Sequence, residues 1–300
     1  MYVSNMSEKI KNTEQKKKTS GKSKFARFLA VCLTLVFLWY FNNYTIKINE
    51  TEISSKKISA SVTAVVLSDL HSDGTNISGR SVMDKVEKID PDIVFALGDM
   101  YSRGASEEQM QIPIDFMADL AAHYPTYFVP GDHDTSYGYI KALSDAGVHV
   151  MAYKYGSEEI YREEFIEIKG NKLHIMGIDN VYYSDSFDLS KEFSNDPDCF
   201  NILMAHIPNY EKFSDFGADL TLCADTHGGM TRLPFNLGPV YDSLTGEWFP
   251  RQRSNRTVYD KGWFEYENGA MFITSGIGDS PLPVRTFNRP EVVAIEINPE

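Results

Sequence analysis

The sequence predicts an α/β fold preceded by one N-terminal membrane-spanning helix. Three observations predict it: short apolar runs that stop abruptly at polar residues, stretches of helical spacing between those runs, and one charge-free apolar segment near the N-terminus. At 300 residues the chain is long enough to bury one substantial core.

Residues 1–24 are polar and Lys-rich and are expected to be a disordered basic tail. Residues 28–46 carry no charge, and 28–41 (FLAVCLTLVFLWYF) are almost wholly apolar, about the length that crosses a bilayer, with Arg27 and Lys47 placed to snorkel. We read 25–46 as an uncleaved signal anchor. No small-residue cleavage pattern follows the apolar run, where Trp39, Tyr40, Phe41, Asn42 and Asn43 stand instead. The basic cluster belongs on the cytoplasmic side, which makes the protein single-pass with its body, 58–300, extracytoplasmic. Residues 47–57 (KINETEISSKK) are read as a polar linker. The net charge is −13, and taking away the +6 of residues 1–27 leaves −19 on the remainder, so no nucleic-acid partner is expected. Cys199 and Cys223 are the only cysteines of the body and form no zinc-type pattern.

In the body, 64–71 (AVVLSDLH) reads as a buried strand ending at Asp69 and His71. Residues 81–88 have helical spacing, 93–97 form a second strand ending at Gly98-Asp99, and 106–122 form a helix interrupted near its start by Pro113. Residues 127–129 are a third strand, followed by Pro130-Gly131-Asp132-His133-Asp134. A helix at 140–146 precedes strands at 149–155, 165–168 and 172–178, the last two joined by a Gly170-Asn171 turn. A short helix is expected at 189–194. Apolar runs at 201–205 and 220–224 end in His206 and in Asp225-Thr226-His227. Residues 230–250 read as loop, and 270–274 and 292–297 as strands.

Five apolar runs thus end in polar clusters: Asp69/His71, Asp99, Asp132-His133-Asp134, His206, and Asp225/His227. Carboxylates gathered from five strand ends would repel one another without a cation among them. An open, oxygen-rich centre with imidazoles, unlike a closed Cys₄ zinc site, keeps positions for water and substrate.

With these motifs the sequence resembles the calcineurin-like metallophosphoesterases, specifically a membrane-anchored bacterial branch similar to UDP-2,3-diacylglucosamine pyrophosphatase-type phosphoesterases. The resemblance runs from about residue 62 to the C-terminus and includes THGGMTRLPF and SGIGDSPLPVRTFNRPEVVAIEI. It implies a metallophosphoesterase-like αββα sandwich of mixed sheets. It implies that Asp69, His71 and His227 hold one divalent ion, that Asp99 bridges, and that Asp132, His206 and Asp225 hold a second. His133 would assist the leaving oxygen. Two divalent ions about 4 Å apart lower the pKa of a bridging water, so hydroxide is available for in-line attack on phosphorus.

Two positions depart from the family pattern. Gly131-Asp132-His133 stands where Gly-Asn-His is usual, and Ala224-Asp225-Thr226-His227 where Gly-His-x-His is usual. Both changes make the second metal position more anionic and harder, which favours Mn²⁺ or Mg²⁺ over Zn²⁺; Mn²⁺ is the expected ion, with Mg²⁺, Fe and Zn²⁺ as alternatives. The expected activity is hydrolysis of a phosphoester at the membrane surface, with anchoring pointing to a lipid-linked diester or pyrophosphate. The competing reading is a catalytically weakened metal- or ligand-binding envelope module. Arg285 and Arg232 are candidates for a substrate phosphate, each weighed against a loop-pinning ion pair. Asp134 is either an orienter of a ligand or a turn former. His123, His149 and His174 are read as structural, and Gly228-Gly229 as a tight turn.

Overall fold

Unbroken apolar runs need cover on both faces, and the strands that carry them occupy the middle of two six-stranded sheets. The computed structural model describes residues 2–72, 77–152, 162–179, 187–254, 256–279 and 284–300, without the side chains of 2–20. In the first sheet, β2 (Val62–Leu67), β3 (Ile93–Ala96), β4 (Thr126–Phe128) and β5 (His149–Val150) run parallel. β14 (Glu291–Pro299) lies antiparallel to β2, and β1 (Lys47–Ser55) lies parallel to β14. In the second sheet, β7 (Asn171–Ile178), β8 (Phe200–Ala205), β9 (Leu220–Cys223) and β13 (Gly269–Ile273) are parallel. β6 (Glu163–Ile168) and β12 (Gly262–Tyr266) are antiparallel edge strands, and β10 (Tyr241–Asp242) and β11 (Glu247–Trp248) pair antiparallel in a separate two-stranded sheet.

The sheets face each other across Val66, Phe95, Tyr127, Ile175, Ile202 and Leu222, all buried. Outside the first sheet pack α2 (Gly79–Ile89), α3 (Glu107–His123) and α4 (Tyr137–Asp145), through Val86, Met117, Leu120 and Leu143. Outside the second pack α5 (Leu189–Glu192) and α6 (Tyr210–Phe216), through Leu189 and Phe213. The layers are therefore αββα. Ser78, Ser106 and Ser136 cap α2, α3 and α4, each accepting a backbone N–H of the first turn.

The chain divides into two units, 1–41 and 42–300. Within α1 (Tyr2–Tyr44), the part from Gly21 to Tyr44 is long and apolar enough to cross a membrane.

Four sequence expectations need correction. The tail 1–24, expected to be disordered, is helical from Tyr2 onward; it contains no proline and is rich in Lys, a strong helix former. The linker 47–57 contains strand β1. Its partner lies some 240 residues away, so its polar sequence gave no local sign of pairing, and charged residues such as Glu50 and Glu52 are what an edge strand carries. Pro113 lies inside a continuous α3, with a capping box formed by Ser106 and Gln109 at the start of that helix. Finally, the expected strand 149–155 covers only His149–Val150, and positions 153–155 fall outside the described residues.

Candidate metal centre

Loops leaving the C-terminal ends of β2, β3, β4, β8 and β9 meet in one hollow. Asp69 and His71 lie beyond β2, not on it, so strand alternation does not aim them. Both are in the left-handed region, with φ of 51° and 44°. Asp99, Asp225 and His227 share that conformation, at φ 54°, 64° and 47°. Strained backbone of this kind persists only where surrounding structure fixes it.

Glycines let these loops interlock. A Cβ on Gly131 would stand 2.1 Å from Asp99 Oδ1, and one on Gly276 would stand 2.6 Å from Asp69 Oδ2. Asp134, fully buried, ties the loops after β3 and β4 together. Its carboxylate accepts the backbone N–H groups of Asp99 (2.6 Å), Gly131 (2.9 Å) and Met100 (3.2 Å), so of the two readings of Asp134 the structure favours the orienter.

All seven proposed ligands come together. One group joins Asp69, His71 and His227, another joins Asp69, Asp99 and His206, and a third joins Asp132, His206 and Asp225. In each, one ligand atom per residue lies within 4.8 Å of the others. Asp99 sits between the groups. Its Oδ2 is 3.8 Å from His71 Nε2, 3.4 Å from His206 Nε2 and 3.9 Å from His133 Nε2. His206 Nε2 is also 3.6 Å from Asp225 Oδ1, and His227 Nε2 is 3.6 Å from Asp69 Oδ1.

The donor set fits divalent cations. Both oxygens of Asp69 and Nε2 of His206 are buried, and none makes a hydrogen bond. His206 Nδ1 donates to the carbonyl of Leu97 at 2.5 Å, which leaves Nε2 as the ring's lone-pair nitrogen facing the carboxylates. The electrostatics lead to the same place. Burial, with Asp99 and Asp225 nearby, pushes the Asp69 carboxyl up to about 8, and burial beside Asp99 and Asp132 pushes Asp225 up to about 6. Burial likewise raises Asp132, with the charge of Asp99 adding to it. Burial, the largest single influence, would raise Asp99 too, but the charge and hydrogen bonding of His206, the His133 backbone N–H and the charge of His71 together outweigh it and hold Asp99 below the usual carboxylate range. Burial lowers His227 well below an ordinary imidazole, and Arg285 adds to the effect, which keeps the ring neutral as a ligand must be. Four carboxylates this close need protons or cations among them.

His133 joins Asp99 and Asp132 in a fourth group of the same kind. Its Nδ1 accepts the backbone N–H of Arg103 at 2.7 Å, so the neutral ring carries its proton on Nε2, 3.7 Å from Asp132 Oδ1. Arg103, which the sequence reading passed over, also donates through Nη2 to Asp132 Oδ2 at 3.2 Å. Its signal was present in the Gly98-Asp99-x-x-x-Arg103 spacing, which puts a guanidinium within one loop of a ligand.

The two candidate arginines separate. Arg232 is spent on the Asp260 carboxylate and on the carbonyl of Gly228, 2.7 Å away, contacts that suit the loop-pinning alternative of its two readings. Arg285 is buried behind His227, its Nη2 3.4 Å from His227 Nδ1, and is held by Asp279 (3.0 Å) and the carbonyls of Ser275 and Gly278. Buried there it braces His227, and its bond to Asp279 suits the ion-pair alternative of its two readings. His123, His149 and His174 pair with Asp119, Glu164 and Glu163.

Comparison with known proteins adds a family match over residues 62–229, to the model described as calcineurin-like phosphoesterase. The chain is similar to the uncharacterized metallophosphoesterase YkuE of Bacillus subtilis (strain 168), with 25% identity over 73% of this chain and 72% of the relative. It is also similar to the uncharacterized metallophosphoesterase YkoQ of the same organism, with 23% identity over 90% of this chain and 97% of that one. The phosphodiesterase YaeI of Escherichia coli (strain K12) is 26% identical over 61% of this chain and 62% of its own length.

Proposed function

The chain belongs to the calcineurin-like phosphoesterase family of metal-dependent phosphoesterases, and from that premise we propose that it hydrolyses phosphodiesters or pyrophosphates with a lipid-linked portion, at a membrane surface. The observation that carries the reading is the convergence of seven carboxylate and imidazole side chains on one hollow with Asp99 at its middle.

Asp69, His71 and His227 would hold one cation, Asp132, His206 and Asp225 the other, and Asp99 would touch both. When bound, the cations supply Lewis-acid polarisation of the phosphoryl group and activation of water. The chain's own residues do the rest. His133, with its proton fixed on Nε2 by Arg103, donates to the departing oxygen. The Arg103 guanidinium balances the extra charge of Asp132. Asp134 and the glycine contacts keep Asp99 in its left-handed conformation, so its carboxylate needs no rearrangement when substrate arrives.

Carboxylates at 132 and 225 support Mn²⁺ or Mg²⁺ over Zn²⁺. The apolar part of α1 supports a single-pass anchor with its N-terminus cytoplasmic, and YaeI's description as a phosphodiesterase supports diesters. The test is turnover of bis-p-nitrophenyl phosphate by the full chain across a panel of divalent metals. Mn²⁺-dependent turnover that falls at least a hundredfold in Asp99→Ala and His133→Ala is the expected result. Silence with every metal would replace this reading with the binding-module one.

A further inference from the structure

A second cavity, of about 450 Å³, opens beside the metal centre, within the range of small-molecule pockets. Thr226, Gly229, Met230, Val240, Trp248 and Val284 form most of its wall. We propose that this cavity is an apolar subsite that seats one acyl chain of an amphipathic phosphoester, a proposal that rests on the phosphoesterase reading above.

Its wall is built on the segments that carry the centre. Thr226 lies between Asp225 and His227, so its Cα is about 3.8 Å from that of each. Val284 precedes Arg285, the residue that braces His227. A chain seated in the cavity therefore ends near the metal groups.

The chemistry of the wall selects an alkyl occupant. The Thr226 hydroxyl donates to the carbonyl of Asp260 at 2.6 Å and that of Thr231 to the carbonyl of Val284 at 2.7 Å. Backbone N–H groups along the wall are engaged too, Val240 with Thr231 and Phe249 with Val240. A nucleobase or sugar would surrender hydrogen bonds to water and find few replacements, whereas an alkyl chain surrenders none. Tyr241 and Trp248, ring centroids 5.1 Å apart and both partly exposed, stand at the mouth with apolar faces and polar tips.

The surface around the cavity points to a membrane lipid as the source. Of the eleven exposed large apolar side chains in the described residues of 42–300, eight lie in 235–249 and 284–287, in the segments around this cavity. Within 42–300, Asn43 holds the wall segment by a reciprocal pair: its Nδ2 donates to the carbonyl of Arg285 (3.0 Å) and its Oδ1 accepts the Arg285 N–H (2.7 Å).

The test uses the full chain in amphipathic polymer with p-nitrophenyl alkyl phosphate diesters from methyl to octyl. The expected result is a kcat/KM that rises about two- to fourfold per methylene and then levels, with the rise flattened in Val284→Asp. A second readout is independent of turnover: in metal-depleted Asp99→Asn protein, tail-brominated dodecyl phosphate quenches Trp248 emission, and Trp248→Phe loses the quenching. Equal turnover of methyl and octyl diesters without quenching overturns the subsite and leaves the phosphoesterase reading standing. A rise of equal steepness in wild type and Val284→Asp assigns chain-length dependence to partitioning and overturns it as well. Quenching without turnover in the wild-type protein sinks the phosphoesterase reading alone.

Discussion

Replacing Asp134 with alanine removes the clamp between the loops that follow β3 and β4. Three buried backbone donors, of Asp99, Met100 and Gly131, lose their acceptor at once. Each unsatisfied buried donor costs about 1–3 kcal/mol, so the gross loss is roughly 3–9 kcal/mol. Part is returned, because burial and then the charge of Asp99 push the Asp134 carboxyl up to about 7, and the variant no longer carries a carboxylate that is costly to ionise. Water entering the vacated space recovers more. A net loss of about 3 kcal/mol remains, equivalent to a fall in Tm of about 6–12 °C for a body of this size. Denaturant titration of the metal-depleted protein measures it, and equilibrium dialysis with Mn²⁺ should show a loss of affinity of about 10- to 100-fold, since Asp99 loses its support. Asp134→Asn, which keeps one acceptor oxygen, should fall between. If Asp134→Ala loses less than about 1 kcal/mol and binds Mn²⁺ as the wild type does, the clamp is not what orders the centre.

Gly131→Ala should lower Mn²⁺ affinity at least tenfold in the same dialysis, because its Cβ would stand 2.1 Å from Asp99 Oδ1; Gly138→Ala, whose Cβ would meet only Ser136 Oγ at 3.8 Å, should leave affinity unchanged. Burial pulls the Lys261 ammonium from 10.5 down to about 8 despite Glu291 nearby. Between those values the unfolded chain binds the extra proton, so stability climbs as pH rises through the window, by about 3 kcal/mol at 1.36 kcal/mol per decade. Denaturation curves at pH 7.5 and 10 should show that climb in wild type and not in Lys261→Met. Arg232→Gln should cost about 2–4 kcal/mol in stability while leaving KM within twofold, since its partners are Asp260 and Gly228; a KM raised tenfold would return Arg232 to the substrate.

The centre was legible because each ligand closes a buried strand, and the abrupt change from apolar to polar is a local signal. The five polar clusters followed from that pattern, while the assignment of seven ligands and Asp99's middle position came with the family resemblance. Aim did not. Asp69 and His71 are turned by left-handed backbone past β2, which loop contacts from Gly98, Gly131 and Gly276 impose and no local pattern announces. β1 looked like a linker because its pairing is wholly non-local, and β12 and α6 were missed because their aromatic residues, such as Trp263 and Phe213, find partners only in the folded sheets. The roles of Arg103, Arg232 and Arg285 depended on which loops meet, and only tertiary structure decides that.

β14 joins β1 to β2 in the first sheet, and the loop before it supplies Gly276, Arg285 and the Asn43 contact. A ribosome making this polypeptide therefore releases β2 to β5 and all seven ligands long before the strand that completes their sheet. Until residues 291–299 emerge, β2 has an open edge and β1 has nothing to pair with, so nascent chains should depend on holdase chaperones, and a premature stop before residue 291 should leave product that is degraded.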